Sequence, residues 1–157
     1  MSGTEAKALP RVLFLCTGNS CRSQMAEGWL RHLAGDKLIA LSAGTEAHGL
    51  NPEMLLSMDA AGLDLRGQRS ETMQSYMADP PEVVISVCAA AAESCPVLPA
   101  RTAQMHWPFE DPAGASGSAE EIAAVFAGVR DVIRARIESW LADGAPLPQG
   151  GALFDCA

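Results

Sequence analysis

Val12-Leu13-Phe14-Leu15 runs directly into Cys16-Thr17-Gly18-Asn19-Ser20-Cys21-Arg22-Ser23, and then into the helix-like Gln24-Met25-Ala26-Glu27-Gly28-Trp29-Leu30. That order reads as a buried strand, a tight polar turn and a helix, so it points to an α/β fold in which the helix crosses back over a sheet. The turn opens with a thiol and carries an arginine six positions later. Backbone N–H groups in such a turn can point inward at a tetrahedral oxyanion. Arg22 adds a bidentate clamp that is always charged. A thiol at the mouth of this positive cradle ionises readily and becomes a nucleophile. A buried cysteine ending a core strand would explain Cys16 alone. It would not explain Cys, Gly, Asn, Arg and Ser together in this context.

The rest of the chain alternates in the same way. Residues 22–34 read as a helix with Gly35 as its stop. Residues 38–43 read as a second strand, followed by a loop over 44–50. Asn51 and Pro52 give an N-cap and a proline at the first helical position, for a helix ending near Ala61. Ser70 is expected to cap a short helix through Met77, ended by Pro80-Pro81. Residues 83–88 form a β-branched third strand, and alanine-rich 89–93 favours one or two helical turns. A fourth strand covers about 102–107. Residues 108–118 are a loop, and Ser118 with Glu121 forms a capping box for a helix over 119–142. That helix carries an apolar stripe at Ile122, Val125, Phe126, Val129, Ile133, Ile137, Trp140 and Leu141, read as core packing. Residues 1–10 and 143–157 read as flexible tails around a single domain, 11–142. The element order implies a four-stranded parallel sheet, strand order 2-1-3-4, with helices on both faces.

Ligands in such sheets bind at the carboxyl ends of the strands, at the switch point between strands 1 and 3. Cys16 ends the first and Cys88 the third, so matched registers place their backbones about 5 Å apart. The loop with Glu110-Asp111-Pro112 emerges at the same edge. Cys16 is the expected nucleophile. Arg22 and the amides of Thr17, Gly18, Asn19, Ser20, Cys21 and Arg22 are expected to hold the oxyanion. Ser23 is placed to hydrogen-bond the thiolate. Asp111 is the candidate general acid, with Glu110 as its rival. Cys88 and Cys95 stand C-x6-C; if that segment is helical, their Cα atoms are about 10 Å apart along the axis, too far for a disulfide unless it unwinds. The spacing also suits small buried hydrophobes. Cys21 is expected to pack, and Cys156 to be a spare thiol. His32, His48 and His106 read as a helix surface, a loop and a strand position.

Composition narrows the setting. The 157 residues suit one domain with a real core, and the net charge of -8 disfavours nucleic-acid binding. No apolar run approaches a membrane span, and the polar N-terminus lacks the apolar stretch of a signal peptide. A cytoplasmic monomer is the expectation. The five cysteines, an odd number without short-range pairing, argue against a secreted disulfide scaffold.

The residues 16–29, Ser42-Ala43-Gly44, 46–52, Cys88 with Cys95 and Pro96, and His106-Trp107 through Asp111-Pro112 together resemble the thioredoxin-coupled arsenate reductases, built on the low-molecular-weight tyrosine phosphatase fold. The likeness covers about 11–142. It implies a relay of three cysteines. Cys16 attacks arsenate while Asp111 protonates the leaving oxygen. Cys88 attacks the Cys16 adduct and arsenite leaves. Cys95 then takes the disulfide outward as Cys88–Cys95, and thioredoxin reduces it. Glutathione- or mycothiol-linked systems could use the same first step. No cofactor is required, but the family offers a potassium site, matched here by Asn19, Glu27, Ser42 and Glu71. The last is an aspartate in that family. Two other functions remain open: a phosphatase for phosphotyrosine or small phosphate esters, and a non-catalytic arsenite or redox sensor. Gln24, where tyrosine phosphatases place proline, weighs against the former. Arg22 and Asp111, which neutral arsenite does not need, weigh against the latter.

Overall fold

The computed structural model describes residues 8–154. Its elements are β1 (Arg11–Cys16), α1 (Arg22–Ala34), β2 (Ile39–Gly44), α2 (Pro52–Ala60), β3 (Val83–Ser86), α3 (Ala89–Ser94), β4 (Ala103–His106) and α4 (Ala119–Ala142), with short 3-10 turns at Met73–Tyr76 and Pro112–Gly114. The strands form one parallel sheet in the order β2-β1-β3-β4, with helices on both faces. β1 is central because its apolar run, Val12 to Leu15, is wholly buried. A strand covered on both sides needs a continuous apolar run rather than alternation.

The caps read from sequence form. The Asn51 side chain accepts from the Glu53 and Met54 amides at the start of α2. Ser118 and Glu121 form a complete capping box on α4. Helix α4 packs on α1 and α2 through Phe126, Val129, Ile133, Ile137 and Trp140, all buried. Val125, expected in that stripe, is 38% exposed. The Trp29 indole N–H donates to the Arg130 carbonyl and ties α1 to α4. Trp107 stacks edge-on against Trp140 and lies close to Phe14.

Two expectations differ from the structure. Ser70 does not cap the 3-10 turn, whose N-cap is Thr72. Its hydroxyl instead accepts from the Gly49 amide and faces the Gly18 carbonyl, so it braces the loop after β1. Residues 143–154 are not loose. Ala145 is fully buried, Pro146 and Ala152 form an antiparallel bridge, and Leu153 and Phe154 donate back to the carbonyls of Ala145 and Gly144. The glycines and prolines there make a tight return that delivers the Pro146 carbonyl to the Trp140 indole N–H. Residues 1–7 and 155–157, including Cys156, lie outside the described residues.

Candidate active site

The loop from Cys16 to Arg22 is shaped by where its carbonyls go. The Cys16, Thr17, Gly18 and Ser20 carbonyls accept from the amides of Thr45, Glu46, His48 and Asn51, and that of Cys21 accepts from Met25. The Asn19 carbonyl accepts from the buried Gln24 side chain. In a trans peptide the C=O of one residue and the N–H of the next point opposite ways. Six outward carbonyls therefore turn the amides of residues 17–22 toward the interior of the loop. Asn19 takes a positive φ of 48°, a conformation asparagine tolerates better than most residues. This is the N–H concavity that the sequence implies.

Arg22 starts α1, and its guanidinium donates to the Phe109 carbonyl at 3.0 Å and pairs with Asp111 at 3.5 Å. Asp111 is exposed and also accepts from the Ala113 amide, so the β4 loop is fixed beside the cradle. Glu110 is exposed, and the carboxylate that pairs with Arg22 is that of Asp111. Ser23 is buried and accepts from the Asn19 side chain at 3.0 Å, which leaves its own O–H to donate.

Cys16 and Cys88 are both buried, and their thiols are close neighbours. The β1–β3 register pairs Leu15 with Ser86, so both cysteines leave the sheet at the same edge. The neighbouring Cys16 thiol, hydrogen bonds from Thr17 Oγ1 (3.4 Å) and the Ala91 amide, and the Arg22 charge draw Cys88 down to about 5. The pairing with Cys88, and burial, push Cys16 up, while Arg22 and the Thr17 amide pull it down. The pair thus sheds one proton easily and holds the other. Cys21, also buried, is pushed up to about 12 mainly by burial, so it is an inert thiol at neutral pH. With Cys88 drawn down and Cys16 held up, the pair is expected to be neutral in acid and to carry one negative charge at neutral pH. Ultraviolet titration is expected to show one thiolate per chain with a midpoint near 5, lost when both residues are serine. A chain with no thiolate below pH 7 would refute this arrangement.

Cys95 is the C-cap of α3, whose N-cap is Cys88. The four positions matched to the potassium site do meet, but protein donors engage them. Ser42 Oγ donates to one Glu27 carboxylate oxygen at 2.5 Å, and the Arg31 guanidinium pairs with the other while also donating to the Ala40 carbonyl. The Glu71 amide and Gln24 both donate to Asn19 Oδ1, and Tyr76 O–H donates to the Glu71 carboxylate at 2.6 Å. The charge a cation would supply to Glu27 comes from Arg31, so these residues do not fit a potassium ion. Arg31, Tyr76, Gln24 and Thr17 carried no sequence signal for these roles, because which of many polar neighbours each engages is settled only by the folded arrangement of α1, β2 and the loops.

The model of the low molecular weight phosphotyrosine protein phosphatase family matches residues 11–147. The chain belongs to that family. Within it, the chain is 45% identical over 133 residues to an arsenate reductase of Halalkalibacterium halodurans, covering 85% of this chain and 96% of that one. A solved arsenate reductase in its oxidised state superposes with a TM-score of 0.74 at 32% identity, over 86% of this chain and 98% of that one. A thioredoxin-dependent arsenate reductase of Corynebacterium glutamicum superposes with a TM-score of 0.61 at 25% identity, over 87% of this chain and 66% of that one.

Proposed function

We propose that this chain reduces arsenate to arsenite by a thiol relay through Cys16, Cys88 and Cys95, with thioredoxin as its reductant. The observation that carries the reading is the buried, neighbouring Cys16 and Cys88 at the mouth of the oxyanion cradle, with Cys95 at the far end of the helix that Cys88 begins. Amides 17–22 and Arg22 hold arsenate. The one proton the pair holds passes to Cys88, the Cys16 thiolate attacks arsenic, and an oxygen leaves as water with a proton from Asp111. Ser23 steadies the Cys16 sulfur. Cys88 then attacks Cys16 sulfur, its proton passing to an oxygen of the departing arsenite; the S–As bond breaks, and its electron pair reduces As(V) to As(III). Two thiols have become one disulfide, and arsenite departs. Cys95 exchanges into that disulfide and presents Cys88–Cys95 to thioredoxin.

Gln24 supports the reductase over the phosphatase. It is buried and donates to the Asn19 carbonyl, to Asn19 Oδ1 and to the Arg69 carbonyl, bonds that proline cannot make. The test is NADPH consumption with arsenate, thioredoxin and thioredoxin reductase. The wild type is expected to turn over; Cys95→Ser is expected to complete one arsenate per chain and stop. Absence of wild-type turnover would sink the thioredoxin-linked reading. Hydrolysis of a chromogenic phosphate ester, faster than arsenate reduction, would favour the phosphatase.

The same reading dispenses with potassium. Melting temperatures in potassium and sodium chloride at equal ionic strength are expected to match in the wild type. Removing the guanidinium in Arg31→Ala is expected to open a potassium-specific rise. Such a rise in the wild type would overturn this expectation.

A further inference from the structure

Next to Cys95 lies a cavity of about 210 Å³. Val84 and Ser86 of β3 and Gln104 and His106 of β4 line it. Each pair is two residues apart, so all four belong to one face of the sheet. Ala92 of α3 and Cys95 close the other side.

Ser86 and His106 are register partners, and Ser86 Oγ lies 2.8 Å from His106 Nδ1. The same hydroxyl faces the Met105 carbonyl at 3.4 Å. A hydroxyl has one proton and a carbonyl only accepts. Both contacts are satisfied when Ser86 donates to Met105 and accepts from Nδ1–H. Nε2 then keeps its lone pair. His106 is exposed, so water reaches its ring. Cys95 is partly buried, and that burial raises its thiol above the ordinary value. It therefore needs a base before it can act as a nucleophile near neutral pH. Cys95 and His106 are the titratable side chains on the cavity wall; among the described residues, no carboxylate, lysine or arginine lines it.

We propose that His106 is the general base that activates Cys95 for the outer disulfide exchange. The inference rests on the relay reading above. Nε2 takes the proton from Cys95 Sγ. The sulfur attacks Cys88 Sγ of the Cys16–Cys88 bond, the Cys88–Cys95 bond forms, and Cys16 leaves as a thiolate beside Arg22. One disulfide replaces another with no net electron change, and the imidazolium proton passes to solvent.

The experiment is a single turnover of the full chain with arsenate and no reductant, quenched by alkylation, with disulfides mapped by mass spectrometry. His106→Gln is expected to form Cys16–Cys88 at the wild-type rate. It is expected to form Cys88–Cys95 on the order of 10²-fold more slowly at pH 7. The deficit closes as pH rises toward ionisation of Cys95 itself, and free imidazole restores the step in His106→Gly. A wild-type exchange rate in His106→Gln would overturn the inference and leave the relay standing. So would a deficit equal at every pH and untouched by imidazole, the mark of a structural role. Failure of the wild type to form Cys88–Cys95 would overturn relay and inference together.

Discussion

Serine in place of Cys16 is expected to abolish arsenate reduction, a loss on the order of 10⁴-fold or more. Oxygen for sulfur changes the side chain's size little, so the cradle should survive. Its amides are oriented by carbonyl bonds to residues 45–51, to Gln24 and to α1, none of which involves the thiol. What disappears is the nucleophile and the sulfur that Cys88 must attack. Both chemical steps fail together, whereas Cys95→Ser spares the first. The expected signature is retained oxyanion binding by calorimetry with no arsenite formed. Turnover above about 1% of wild type would show that another thiol attacks arsenate.

Gly44→Ala is expected to damage fold and site at once. Gly44 ends β2 beside Cys16, and its amide donates to the Glu71 carbonyl at 2.8 Å. A Cβ there would lie 2.6 Å from the Thr17 carbonyl oxygen and 2.9 Å from the Asn19 amide nitrogen, and closer still to the Glu46 carbonyl. All three are backbone atoms, which cannot rotate away as a side chain would. The cost belongs at the upper end for overpacking, about 3 kcal/mol. For a chain of this size that lowers the melting temperature by about 6–12 °C. Because the displaced atoms belong to the cradle, arsenate affinity should fall even at temperatures where the variant is folded. A variant with wild-type melting and affinity would show that the loop yields freely.

The features legible in the sequence are those whose cause is local. The apolar run before Cys16, the Asn51-Pro52 start and the Ser118–Glu121 box each carry their signal within a few residues, and each forms. The strand order followed from alternation and handedness. The meeting of Cys16 and Cys88 then followed from both lying at strand ends. The arrangements that escaped depend on how separate elements meet in three dimensions. Ser70 has the residue type of a cap, yet the Gly49 amide and the loop after β1 compete for its hydroxyl. Arg31 looks like an ordinary surface residue of α1 until β2 brings the Ala40 carbonyl beside it. The turn after α4 has the composition of a tail, and only the Trp140 indole shows why it closes.

Helix α3 is bounded by two thiols, Cys88 at its start and Cys95 at its end. A bond between those sulfurs cannot coexist with the helix, whose length exceeds a disulfide's reach of about 4.4–6.8 Å between Cα atoms. Oxidation is therefore written into the outline of the molecule as well as into its sulfurs. On the proposed relay, a protein docking on this edge would meet a wound α3 on the reduced form and an unwound segment on the oxidised one. It can tell the two apart by shape before any exchange begins. On the same reading, reduction would let α3 wind again and remove the surface the donor gripped, so that delivery of electrons and release of the donor would become one event.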